Sequence, residues 1–161
     1  MKILSFTLIF LFPFHLLAQE VQPDQIQDCV GNWEGTLTYL DYSSGNPFSM
    51  PANIKIEKGK NDRELLLFNE YPNEPKANNK GKMTLSKDGT KLNGKTIKKV
   101  EELAGGILVE TEYEGKDDNQ KALIRNTYIL TDDQVLFRKE VLFNEEAGWI
   151  LRSEFKYSPA S

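Results

Sequence analysis

Short runs of alternating side chains, separated by brief polar turns, constrain most what this chain can fold into. An alternation of period two is the mark of a strand with one face in a core, whereas an amphipathic helix repeats every 3.6 residues. In residues 33–42, Trp33, Leu37 and Tyr39 share a face with Gly35 between them, opposite Glu34, Thr36 and Thr38. In residues 48–57, Ala52, Ile54 and Ile56 oppose Asn53, Lys55 and Glu57. Residues 64–71 are almost continuously apolar. Residues 82–86 and 91–97 flank Asp88-Gly89, a strong hairpin signal. Further on, Ile107, Val109, Thr111 and Tyr113 oppose Glu110, Glu112 and Glu114. Residues 122–130 and 135–143 follow. Residues 149–157 then place Trp149, Leu151, Phe155 and Tyr157 opposite Arg152, Glu154 and Lys156.

That pattern predicts an all-β chain of about eight or nine strands. The connections, mostly of about three to six residues, are too short for parallel crossovers and imply antiparallel neighbours. An up-and-down meander of this size removes its exposed edges by closing into a barrel. A β-sandwich is the competing fold, but sandwiches carry longer crossing connections. Residues 43–47, 58–62, 115–120 and 144–148 read as turns, 72–80 as a mobile loop, and 98–106 as either a loop or one turn of helix.

The alternation also names an interior. Leu37, Tyr39, Ile54, Ile56, Val109, Thr111, Tyr113, Asn126, Tyr128, Phe137 and Ser153 are the candidate lining, with Trp149 and Phe155 as further aromatics. A filled core would use such residues too. The polar members distinguish the two cases: Thr111, Asn126 and Ser153 fall at inward positions, and a buried polar group must find a partner. A ligand or trapped water in a barrel of this size supplies one.

Residues 1–18 carry Lys2, then a fifteen-residue apolar stretch, then Leu16-Leu17-Ala18 before the polar Gln19-Glu20. This is the pattern of a cleaved signal peptide and is short for a membrane span. The expected organisation is a signal peptide at 1–18, an N-terminal leader at 19–30 that reads as loose, and the barrel at 31–158. The mature protein is expected to be secreted or periplasmic, with no membrane span. Cleavage removes His15, the only histidine. Without it, no Ser-His-Asp triad or Cys-His pair can form, and the usual zinc sites are lost. Cys29 is the only cysteine, so the monomer has no intrachain disulfide. It reads as a small buried hydrophobe rather than a lipid anchor or a nucleophile. The formal net charge of −4 gives no attraction to phosphate backbones, so nucleic acid is not an expected partner. The acids fall mainly on outward faces, and Asp117-Asp118-Asn119 lacks a full calcium-ligand spacing. No metal, cofactor or enzymatic activity is expected.

Gly31-Asn32-Trp33, just ahead of the meander, resembles the Gly-x-Trp signature of the lipocalins and the wider calycin group. The resemblance implies a barrel closed at one end by Trp33. It also implies a basic residue near the last strand packed over the indole: Arg152, with Arg138, one strand earlier, as the alternative. Gly31, Trp33 and Arg152 would then be structural. Thr131-Asp132-Asp133 lies where lipocalins carry a Thr-Asp-Tyr turn but lacks the tyrosine. The function that follows is binding of a small, partly apolar or amphipathic ligand inside the barrel. The alternative is a protein-binding or inhibitor module that uses the loops 43–47 and 72–80.

Overall fold

The computed structural model describes residues 20–146 and 148–161. The signal segment 1–18, with His15, lies outside the described residues. Ten strands follow one another: β1 (Gly31–Leu40), β2 (Pro47–Lys58), β3 (Glu64–Glu70), β4 (Asn79–Thr84), β5 (Lys91–Leu92), β6 (Lys95–Leu103), β7 (Gly106–Asp117), β8 (Gln120–Thr131), β9 (Val135–Leu142) and β10 (Ile150–Pro159). All pairs are antiparallel, in the order β4-β3-β2-β1-β10-β9-β8-β7-β6-β5. Since β1 pairs with both β2 and β10, the meander wraps into a nearly closed barrel rather than two packed sheets.

The tenth strand comes from a turn that the alternation does not show. Residues 91–97 are not one strand. Asn93 and Gly94 both take positive φ (52° and 73°), as a two-residue type I′ turn requires, and split the segment into β5 and β6. The undecided stretch 98–106 continues β6 as a strand and turns at Gly105. The loop 72–80 carries a single turn of 3-10 helix at Pro75–Ala77 and leads into β4. Closure between β4 and β5 is narrow: a bridge at Leu85 and Leu92, with Asn93 N–H donating to Thr84 O at 2.8 Å.

One end of the barrel is dry. Val21, Ile26, Cys29, Trp33, Ile54, Ile56, Leu65, Met83, Leu92, Ile107, Leu130 and Val135 form its core. The leader is therefore not loose where it is described: it folds under the barrel and buries Val21, Ile26 and Cys29. Val21 N–H donates to Gly89 O at 3.0 Å. Gly89 has φ +70°, and a Cβ there would lie 2.5 Å from Val21 O, so the hairpin tip admits the leader only as glycine. At Gly35 a Cβ would lie 2.0 Å from Lys156 O and 2.9 Å from Tyr157 Cα, which is how closely β1 approaches β10.

Trp33 sits in this base, and its Nε1–H donates to Cys29 O at 2.9 Å. No arginine packs over it. Arg138 Nε donates to Glu154 Oε2 at 2.6 Å. Arg152 lies toward the opposite end, because a register shift between Leu151 and Ser153 turns it inward. The same bulge puts Leu151 opposite Glu140, on the outer side, where it is exposed. Trp149 also leaves the interior: the Arg125 guanidinium, paired with Glu112, lies 3.9 Å from its ring centroid.

Candidate ligand-binding site

The registers stack the inward side chains in rows around the barrel. Along the basal row, Gly35, Tyr157, Val135, Leu130 and Ile107 are neighbours from β1 through β10, β9 and β8 to β7. Above it lies an aromatic row of Leu37, Phe155, Phe137, Tyr128, Val109 and Val100. Next comes a polar belt: Tyr39, Ser153, Lys139, Asn126 and Thr111, meeting Ile97 of β6. Ile150, Val141, Ile124 and Tyr113 form the upper row.

Burial changes sharply between these rows. Tyr157, Val135, Leu130 and Ile107 are buried, whereas Leu37, Phe155, Phe137 and Tyr128, two residues further along the same strands, are only partly buried. So are Tyr39, Ser153, Lys139 and Asn126 in the belt. These residues are on central strands and point inward, so part of the interior above the basal row stays accessible. This band, the cup of the barrel, lies between the packed base and the buried Ile124 and Val141 of the upper row.

The sequence-derived lining therefore divides. Leu37, Tyr39, Asn126, Tyr128, Phe137 and Ser153 line the open part, with Val109 and Thr111 buried in its wall. Ile54 and Ile56 lie in the dry core beside Trp33 and Gly31 and do not reach the cup. Tyr113 packs at the upper row with Ala122, Ile124, Val141 and Phe143. A separate groove of about 750 Å³ lies outside the cup, between the β7–β8 and β9–β10 turns; it is lined by Lys121, Leu123 and Leu142 among others and by none of the candidates.

Two inward hydroxyls stand out. Thr111 is 0% exposed, and its Oγ1 has no hydrogen-bond partner. The Tyr128 hydroxyl is close enough to feel it but makes no bond of good geometry, and itself accepts only a long 3.5 Å contact from Asn93 Nδ2. The Tyr157 hydroxyl, in the basal row, is also buried without a partner. Burial raises both phenols above their ordinary pKa, Tyr157 far above, so they remain neutral donors at any physiological pH.

Four charged residues set the electrostatics above the belt: Asp117, Lys139 and Lys95, which the sequence reading did not name as site residues, and Arg152, which it placed over Trp33. Asp117 is an inward side chain only 3% exposed. Lys139 Nζ donates to its Oδ1 at 2.7 Å, Arg152 Nε to its Oδ2 at 2.7 Å, and the Tyr42 hydroxyl reaches both oxygens at 3.2 Å. Burial alone would raise this carboxyl; the hydrogen bond and charge of Lys139, with Arg152 and Tyr42, outweigh burial and hold it below the usual carboxylate range. Arg152 also stacks over Tyr42 and Phe143, its centre 4.8 and 5.4 Å from their rings. Lys95 lies 4.1 Å from the Tyr113 ring centroid and has no ion-pair partner among the described residues. Three cations thus face one carboxylate. Cys29, by contrast, is inert: burial foremost, with the Asp28 charge, pushes its thiol up to about 12. Among the described residues no cluster of three acidic, histidine or cysteine side chains is arranged to hold a metal, and no helix is long and apolar enough to cross a membrane.

No family profile matches this chain, and no curated protein matches it in sequence. Solved structures with a similar chain path include Rv2717c from M. tuberculosis, at 8% identity and a TM-score of 0.49, covering 89% of this chain and 100% of that one. A mutant of the fluorescent protein UnaG is 10% identical with a TM-score of 0.43, over 84% and 99% of the two chains. A protein of unknown function from the DUF3598 family of Nostoc punctiforme is 12% identical with a TM-score of 0.40; the match covers 88% of this chain and 50% of that one.

Proposed function

We propose that this is an exported binding protein, secreted or periplasmic, that takes a small, partly apolar ligand into the accessible band of its barrel and performs no catalysis. Export rests on the signal-like segment at residues 1–18. The observation that carries binding is the contrast between rows: the same strands that are dry at the base leave Leu37, Phe137, Phe155 and Tyr128 accessible one row higher. Apolar walls with a few convergent polar groups are what small-molecule sites use. The absence of histidine from residues 19–161 and the outward placement of most acids support a binder over an enzyme.

The test is titration with an environment-sensitive apolar dye, together with native mass spectrometry after mild extraction. One dye per protein, displaced by the co-purifying molecule and weakened by Phe137→Ala, is expected. A barrel that takes up neither dye nor co-purifying ligand would remove this reading.

One observation favours a second reading, in which the rim captures a protein. Tyr42 and Phe48 flank the β1–β2 turn and are 57% and 50% exposed. If so, Phe48→Ser abolishes capture of a partner, and Phe137→Ala leaves that capture intact.

A further inference from the structure

We infer that the polar belt is an acid-binding ring, and that the ligand is a compact, ring-bearing carboxylate whose acid group sits in the belt and whose ring lies on the aromatic row. This deepens the binding reading above and rests on it.

The polar belt has an unmet hydrogen bond at its most buried member. Thr111, Asn126 and Ser153 stand side by side on β7, β8 and β10, with Lys139 of β9 between the last two. The Thr111 hydroxyl is fully buried and unpartnered. The side chains of Asn126 and Ser153 make no hydrogen bond within the protein among the described residues, although both point inward. Leaving a buried hydroxyl unpaired is costly, so such groups in native proteins usually meet a bound molecule or water. Two hydroxyls and an amide N–H2 at one height supply several donors along one wall of the barrel.

Charge then selects the guest. On the inward faces of β7 to β10 the charged groups are Asp117, Lys139 and Arg152, and Lys95 of β6 joins them at the upper row. Asp117 already engages Lys139 and the Nε of Arg152, so one excess cation remains at this end of the cup and another at Lys95. The protein as a whole is negative, with a formal charge of −4, so this local excess is not a general property of its surface. Neutral donors under a positive field suit a carboxylate better than a neutral carbonyl or an amine.

Depth limits the size of the guest. Below the belt lies one accessible row, then the dry basal row. Two strand residues advance about 6.7 Å, so the apolar part has room for about one ring system and not an extended chain. The walls there are aromatic: Phe137 and Tyr128 meet edge-on at 5.9 Å, and Phe155 stacks on Tyr157 at 6.0 Å. These faces and edges complement a flat ring.

The experiment compares 2-naphthoate, its uncharged amide 2-naphthamide and hexadecanoate by isothermal titration calorimetry on the wild-type protein. Naphthoate is expected to bind about tenfold or more tighter than naphthamide and at least as tightly as hexadecanoate. The double variant Thr111→Val with Ser153→Ala is expected to lose most of that preference while still binding naphthamide. Equal affinity for acid and amide overturns the acid-binding ring. Hexadecanoate binding best overturns the compact guest. If the apolar dye binds but naphthoate does not, this inference fails and the binding reading survives; if the dye does not bind either, both fail.

Discussion

Thr111→Val separates a hydroxyl that serves the fold from one that waits for a guest. Thr111 and Thr131 are almost equally buried, at 0% and 3% exposure. Thr131 Oγ1 donates to Asp133 Oδ1 at 2.6 Å and accepts from Gln134 N–H at 2.9 Å, whereas Thr111 Oγ1 has no partner. Valine keeps the β-branched shape and removes only the polar atom. At position 131 the change deletes a charge-assisted bond and orphans a backbone N–H, for a loss of about 2 kcal/mol. At position 111 it removes an unpaired hydroxyl whose burial costs ~1–3 kcal/mol, so a gain of about 1 kcal/mol remains after minor repacking. For a domain of this size that is a rise in Tm of roughly 3 °C. Urea unfolding of the ligand-free protein, followed by circular dichroism and tryptophan fluorescence, reads both changes. If Thr111→Val destabilises as much as Thr131→Val, the Thr111 hydroxyl already has a partner in the empty protein and the reasoning fails.

Asp117→Asn is expected to cost about 2 kcal/mol at neutral pH, because it leaves Lys139 and Arg152 facing one another; Lys139's partial exposure softens the loss. Because the folded pKa of Asp117 lies below the unfolded value, its contribution is complete above about pH 4 and is lost as pH falls through the folded value. The variant should therefore show a flatter acid limb in a pH series of urea midpoints. Gly35→Ala is expected to cost more than about 2 kcal/mol and to speed amide exchange along β1 and β10, since its Cβ collides with backbone. Ile26→Ala should lose about 2–4 kcal/mol, as for any fully buried core isoleucine, which a dispensable leader would not do. Cys29 should resist iodoacetamide at pH 8 until the protein is unfolded, because so little thiolate forms.

The faces of the strands are legible because their side chains alternate with period two, and this carries through to the belt: Thr111, Asn126 and Ser153 are inward in both sequence and structure. The missed and misplaced residues each have their own cause. Lys139 falls between Phe137 and Val141 on the inward face of its strand, but lysine is ordinarily a surface residue, and here its pairing with Asp117 is what the sequence does not show. Asp117 is hidden because its neighbourhood reads as a turn; in fact Asp118 and Asn119 alone take positive φ, and β7 runs on to Asp117. Arg152 is displaced by a bulge, which moves side chains to the other face without a mark in the sequence. The buried leader shows no periodicity, since three apolar side chains among polar ones are enough to stopper the base.

The pairing of β1 with β10 also governs when the barrel can form. Trp33 meets Pro159 and Tyr39 meets Ser153, so the first strand waits for the last before one of its edges is satisfied. Such distant contacts make assembly slow and leave unpaired backbone exposed meanwhile. The same pairing concentrates fragility at the C-terminal end. Loss of residues 150–159 would strip a flank from both β1 and β9 and leave an open, adhesive sheet in place of the cup.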